Sequence, residues 1–179
     1  MQLKLYINLN KELTLPINYS HILQGIIYKA LSNDLHYQKS LHNNGLNNSN
    51  YKFFTFSSLC GKHSINNKHI TFFDNIFFEI RSVDSYFIFL LYEYFKTNGI
   101  TFDSECFSVN LHLENKIIRN ESINIKMNSP LCITKKTTDN KFVFLSPKDA
   151  DFEKYINNNF HNKYKAYYNS FPLESISII

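Results

Sequence analysis

The first 113 residues alternate between two hydrophobic periods in an order that few folds accommodate. Leu3, Leu5, Ile7 and Leu9 alternate with polar or outward positions, the period of a half-buried strand. Pro16 closes a short connection, and Tyr19 to Leu31 then sets Leu23, Ile26, Ile27, Ala30 and Leu31 on one helical face. Asn33 to Asn50 reads as a polar, Asn-rich loop with Gly45 as its turn. Lys52 to Ser58 reads as a strand, and Ile70 to Arg81 supplies one or two more around Asp74-Asn75. "VDSYFIFLLYEYFKTNG" is a second helix, with Asp84 or Ser85 as its cap and Gly99 as its stop. Phe102 to Leu113 offers another strand. Strand, helix, strand, strand, helix, strand is the ferredoxin-like (RRM-like) split βαβ pattern of an α+β protein.

After Glu114 a second unit begins, so the expected division is 1–114 and 115–179. Ile117 to Met127 and Leu131 to Thr134 read as strands separated by Ser129-Pro130, and Phe142 to Leu145 as a further short one. Ser146-Pro147 opens a helix from about Ala150 to Lys163, and "AYYNSFPLESISII" reads as one final strand. Those elements are too few to close a second ferredoxin-like domain, so the fold class expected is tandem ferredoxin-like domains with the second incomplete. An apolar edge from Ile176 to Ile179 would invite a homodimer or a complementing C-terminal fragment.

Composition narrows the function. Hydrophobic residues make up 44% of the chain and aromatic ones 16%, which supports a packed core rather than a disordered tail. A net charge of +4 permits a polyanionic partner without requiring one. Cys60, Cys106 and Cys132 are widely spaced and odd in number, against a disulfide scaffold or a zinc site. No apolar run approaches the ~18 residues of a membrane span, so no membrane partner and a cytoplasmic location are expected. The glycines are isolated, which argues against a phosphate-cradling loop, and no cofactor is expected. Asp149, Asp151 and Glu153 lie at one helix start, where they serve most simply as dipole partners rather than as a two-metal cluster.

Three residues remain that together make a chemistry. On a helical wheel Tyr28 falls about 140° from Leu23, off the apolar face. Its ring either covers a neighbouring loop or presents its hydroxyl to a ligand. His42, in "SLHNNG", has the side chain best suited to proton transfer near neutrality, but His36 lies six positions earlier and the residues alone do not choose between them. Lys52 opens "KFFTFSSL", where a cation beside Phe54 and Phe56 makes an edge able to hold RNA phosphates and bases. RNA carries its own nucleophile, the 2′-hydroxyl. A base to remove its proton, an acid for the departing 5′-oxygen and a cation at the phosphorane suffice for cleavage without metal.

"LPINYSHILQGIIYKALS", "SLHNNG", "KFFTFSSLCGK" and "ITFFDNIFFEIRS" together resemble the CRISPR-associated endoribonucleases of the RAMP superfamily that process precursor repeat RNA. "NSPLCITKK" followed by "FVFLSPKDADFEKYINNNFHNKY" resembles the start of that family's second domain. The resemblance implies two tandem ferredoxin-like domains and metal-independent cleavage within each repeat. It implies His42 as the acid–base centre, with Tyr28 and Lys52 positioning and polarising the reacting groups. The implied partners are CRISPR repeat RNA and the subunits of a CRISPR effector complex. The family's glycine-rich loop near the C-terminus has no counterpart here, since no glycine follows Gly99. Two other readings stand beside this one: a non-catalytic RNA-binding or assembly subunit, and a ferredoxin-like module unrelated to nucleic acid.

Overall fold

A computed structural model describes residues 1–46, 49–115, 124 and 131–177. The chain divides into two compact units, Met1–Ile117 and Ile118–Ile179.

In the first unit β1 (Gln2–Ile7) is the pivot of the main sheet. Its alternation buries Leu3, Leu5 and Ile7 completely and turns Lys4 and Tyr6 outward. β2 (Leu13–Pro16) follows, then α1 (Ser20–Ala30), whose Leu23, Ile27 and Ala30 share a buried face. α2 (Leu35–Asn44) comes next, ahead of β3 (Phe54–Phe56). β4 (His63–Asn66) and β5 (His69–Phe72) form a hairpin, and β6 (Ile76–Ser82) returns to the main sheet. α3 (Ser85–Asn98) buries Phe87, Ile88, Leu90, Leu91 and Phe95, and β7 (Ile100–Phe102), β8 (Glu105–Phe107) and β9 (Val109–Glu114) complete the unit.

The main sheet has the order β3-β6-β1-β9, antiparallel throughout, with Leu5 opposite Phe78 on one side and Leu111 on the other. The ferredoxin-like order expected from the sequence is therefore present. α3 packs against β1, β6 and β9, and α1 packs against α3. The outer sheet face carries Lys4, Tyr6, Phe77, Glu79 and Arg81. A second sheet of order β2-β5-β4 and the β7–β8 hairpin sit beside it.

Several boundaries differ from the sequence expectation. The Asn33–Asn50 segment is a loop only at its ends, because Asp34 caps α2 by accepting the Tyr37 amide at 2.9 Å and Leu41 is buried. Pro16 ends a strand instead of closing a connection. It lies on the edge strand of its sheet, where a missing N–H costs no ladder bond. The Lys52–Ser58 strand shortens to Phe54–Phe56, since Phe53 takes the left-handed region at φ 54° and breaks the pleat. The single strand at Phe102–Leu113 is three, turned at Asp103 (φ 53°).

In the second unit β10 (Ile133–Lys136) pairs antiparallel with β11 (Phe142–Leu145), two residues beyond the expected start of the first. α4 (Phe152–Tyr168) follows, anchored by buried Phe152 and by an ion pair between Asp151 and Lys135. It runs five residues past the expected Lys163 and closes at Asn169, whose φ of 54° supplies the left-handed cap. The expected last strand is thus partly helix, and residues 169–177 contain no strand. Asn157 instead holds this segment, donating to the Ile176 carbonyl at 2.8 Å and accepting its amide at 2.7 Å. The strand expected at 117–127 and the Ser129-Pro130 break lie outside the described residues, residue 124 excepted. Among the described residues no helix is long and apolar enough to cross a membrane.

Candidate active site

Tyr28 occupies the last turn of α1, half-buried although off the Leu23 face. What covers it is α2, the segment that reads as loop. The Tyr28 and His42 rings meet edge to face with centroids 5.1 Å apart at 71°. On its other side Tyr28 meets Phe54 of β3 at 6.1 Å and 81°. Gln38 fastens the two helices, its amide donating to the Tyr28 carbonyl at 2.6 Å. Burial raises the Tyr28 phenol above its ordinary pKa, so the hydroxyl is a neutral donor at physiological pH.

His42 is exposed on the last turn of α2. Its Nδ1 lies 3.1 Å from Asn43 Oδ1. A carboxamide oxygen only accepts, so Nδ1 is the donor in this contact, and in the neutral imidazole the lone pair is then on Nε2. His36 sits on a different face of the same helix and lines a cleft of about 270 Å³ with Asp34, Tyr37 and Gly45. The aromatic contact with Tyr28 belongs to His42.

Lys52 precedes β3 and turns back to the end of α2. Its ammonium donates to the Leu41 carbonyl at 2.5 Å and to the His42 carbonyl. These are carbonyls of the final helical turn, which carry the negative end of the helix dipole. Among the described residues two of the three Lys52 N–H donors are engaged, and the third can meet an anion. Gly45 closes the helix at φ 72°, its amide donating to Leu41 at 3.2 Å. The three residues singled out by the sequence thus lie in one cluster, built from the end of α1, the end of α2 and the approach to β3.

Three neighbours in the cluster went unrecognised: Gln38, Asn43 and Phe54 as a ring partner of Tyr28. The signal for the first two was present in "NDLHYQKSLHNNG". An Asn-Asp cap, Tyr37 and Leu41 four apart and a terminal glycine describe a short helix. As a helix, the segment puts Gln38 and His42 on one face, four residues apart.

Comparison with known proteins extends this picture. Residues 113–179 match the family model "CRISPR associated protein Cas6, C-terminal". No curated protein matches the sequence. A solved structure described as "CRISPR associated protein Cas6" is similar at 25% identity and TM-score 0.62, over 98% of this chain and 74% of that one. Another, "Characterization of a Cas6-related gene from Pyrococcus furiosus", shares the fold at 21% identity and TM-score 0.68, over 97% and 73%. A third, "An RAMP protein binding different RNA substrates", does so at 21% and 0.65, over 96% and 72%. Its C-terminal segment thus matches that family's model, and nearly its whole length is similar to a structure described as a Cas6 protein.

Proposed function

We propose that this protein is an endoribonuclease that cuts precursor CRISPR RNA within its repeats, using the cluster in the first unit. The observation that carries this reading is the Tyr28–His42 contact, in which an exposed imidazole stands edge to face against a neutral phenol. The 2′-oxygen attacks the adjacent phosphorus and the P–O5′ bond breaks. One proton leaves the 2′-hydroxyl and one reaches the 5′-oxygen, giving a 2′,3′-cyclic phosphate and a 5′-hydroxyl. His42 is the proton-transfer group, being the one imidazole in the cluster, a side chain that can both accept and donate a proton. The Tyr28 hydroxyl donates to the reacting phosphate. The remaining Lys52 N–H, with the ammonium charge behind it, stabilises the phosphorane oxygens. The chemistry requires no metal ion.

Cognate repeat RNA incubated in EDTA tests the reading, alongside the same RNA bearing a 2′-deoxy sugar just 5′ of the cut. Cleavage of the first RNA alone, ending in a cyclic phosphate and lost in His42→Ala with binding retained, is the expected result. Binding without cleavage by the unaltered protein would overturn it in favour of a non-catalytic RNA-binding subunit.

A further inference from the structure

α2 carries His42 but is held by little apolar burial, since Leu41 is its one buried residue. Ten residues, LHYQKSLHNN, are too few to form a helix on propensity alone. Its orientation is set by a polar arrangement at its start. Asp34 accepts the Tyr37 amide through Oδ1 at 2.9 Å and the Tyr86 hydroxyl through Oδ2 at 3.0 Å. Asp84, the cap of α3, accepts the Tyr86 amide through Oδ1 at 2.9 Å and the Tyr37 hydroxyl through Oδ2 at 2.5 Å. Each aspartate caps its own helix and takes the tyrosine hydroxyl of the other. The two tyrosine rings meet edge to face at 5.3 Å and 90°.

Bonds to carboxylates are shorter and stronger than neutral ones. Protonation equilibria reflect the same contacts: the Tyr37 amide and Tyr86 hydroxyl lower the Asp34 carboxyl, while burial and then Asp84 raise the Tyr37 phenol. Two crossed hydrogen bonds and a ring contact constrain both the tilt of α2 and its rotation about its own axis. His42 lies eight residues beyond Asp34, about 12 Å along the axis at 1.5 Å per residue, so a tilt of about 10° at the start moves it by about 2 Å. Misplacement by about 1 Å is enough to cost a reaction about 100-fold.

We infer that Asp34, Tyr37, Asp84 and Tyr86 are positioning residues for His42: the reciprocal clasp between the starts of α2 and α3 sets the angle at which the imidazole meets the RNA. The kinetic consequence rests on the endoribonuclease reading; the structural one does not.

Tyr37→Phe removes one hydroxyl and keeps the ring, and Asp84→Asn keeps a cap but loses the charge. In both, single-turnover cleavage at saturating repeat RNA falls by about tenfold to 100-fold while RNA affinity stays within about twofold. In both, the His42 imidazole NMR signal, assigned through His42→Gln, is displaced. Ile100→Val in β7, a mild core truncation away from α2, lowers stability and leaves that signal unmoved. If Tyr37→Phe fails to fold, Tyr86→Phe removes the other hydroxyl from an exposed ring. Unaltered cleavage with an unmoved His42 signal overturns the clasp. If the unaltered protein cuts no repeat RNA, the endoribonuclease reading fails and the His42 signal alone decides the clasp, displaced in its favour and unmoved against it.

Discussion

Adding one methyl group to either of two glycines beside the site should change stability in opposite directions. Gly45 ends α2 at φ 72°, three residues past His42. A Cβ there would lie 2.6 Å from the Tyr51 carbonyl oxygen, 2.7 Å from the Asn50 carbonyl carbon and 2.7 Å from the Tyr51 nitrogen. All three are backbone atoms, so no side-chain rotation relieves the contact. The left-handed conformation costs alanine about 1–2 kcal/mol and the enforced backbone shift about 1–3 kcal/mol more. Gly45→Ala should therefore lose about 2–5 kcal/mol, a large part of the stability of a small domain. It should also push the 50–51 segment, and Lys52 behind it, away from the end of α2. Gly25 lies inside α1 with nothing within 4 Å of an added Cβ. Gly25→Ala should gain about 0.5–1 kcal/mol by restricting the unfolded chain and improving helix propensity. Urea titrations followed by circular dichroism would read both changes as shifts in midpoint at constant slope. A Gly45→Ala protein within about 1 kcal/mol of the unaltered one, or shifts of the same sign at both sites, would refute the reasoning.

Tyr28→Phe keeps both edge-to-face contacts and should melt within about 0.5 kcal/mol of the unaltered protein, whereas Tyr28→Ala should lose about 1–3 kcal/mol; both should cut RNA more slowly at saturation. Lys52→Ala removes the cation from the Leu41 and His42 carbonyls, so their carbonyl carbon shifts should move and α2 should lose about 0.3–1 kcal/mol of terminal charge stabilisation. The Asp34 carboxyl titrates below its ordinary range because it accepts the Tyr37 amide and Tyr86 hydroxyl. Its contribution is therefore full above that range and lost as pH falls through the depressed folded value. Urea midpoints of the unaltered protein and Asp34→Asn should differ at about pH 6 and converge towards about pH 2.

How much could be read from the sequence follows from what holds each element. α3 was legible because its cap, its stop and its aliphatic and aromatic face are all local: Asp84, Gly99 and the run from Phe87 to Phe95. β1, β5 and β6 were legible because their alternation is strict and their inward residues are large. α2 was missed because its sequence is mostly polar and its stability comes from residues distant in the chain, namely Tyr86, Asp84 and Lys52. β4 escaped for a related reason: all four residues are exposed, and pairing with β5 alone makes it a strand. The failure at α2 carried over to the site. Tyr28 lies off the Leu23 face in the helical period, but its shielding by His42 depends on α2 being a helix, which the polar sequence hides. In the C-terminal segment, Tyr167 and Tyr168 read as the opening of the strand "AYYNSFPLESISII" because tyrosine is common in strands. There the rings of Tyr164 and Tyr168 meet at 4.5 Å, the four-residue spacing of a helix.

The contrast between α2 and α3 has a consequence for how the first unit opens. α3 buries five side chains and α2 one, so α3 should exchange its amide hydrogens only when the whole unit unfolds. α2 is kept in place by a few hydrogen bonds to charged groups, each worth about 1.5–3 kcal/mol net. Such bonds fix direction sharply while adding less to the cost of separation than the five buried side chains of α3. The imidazole is therefore aimed closely for most of the time, on a helix that can detach briefly at lower cost while the sheet beneath it stays folded. Among the described residues of the first unit, a protease acting on the native protein should cut first within 35–46, leaving β1, β6 and α3 as a resistant core.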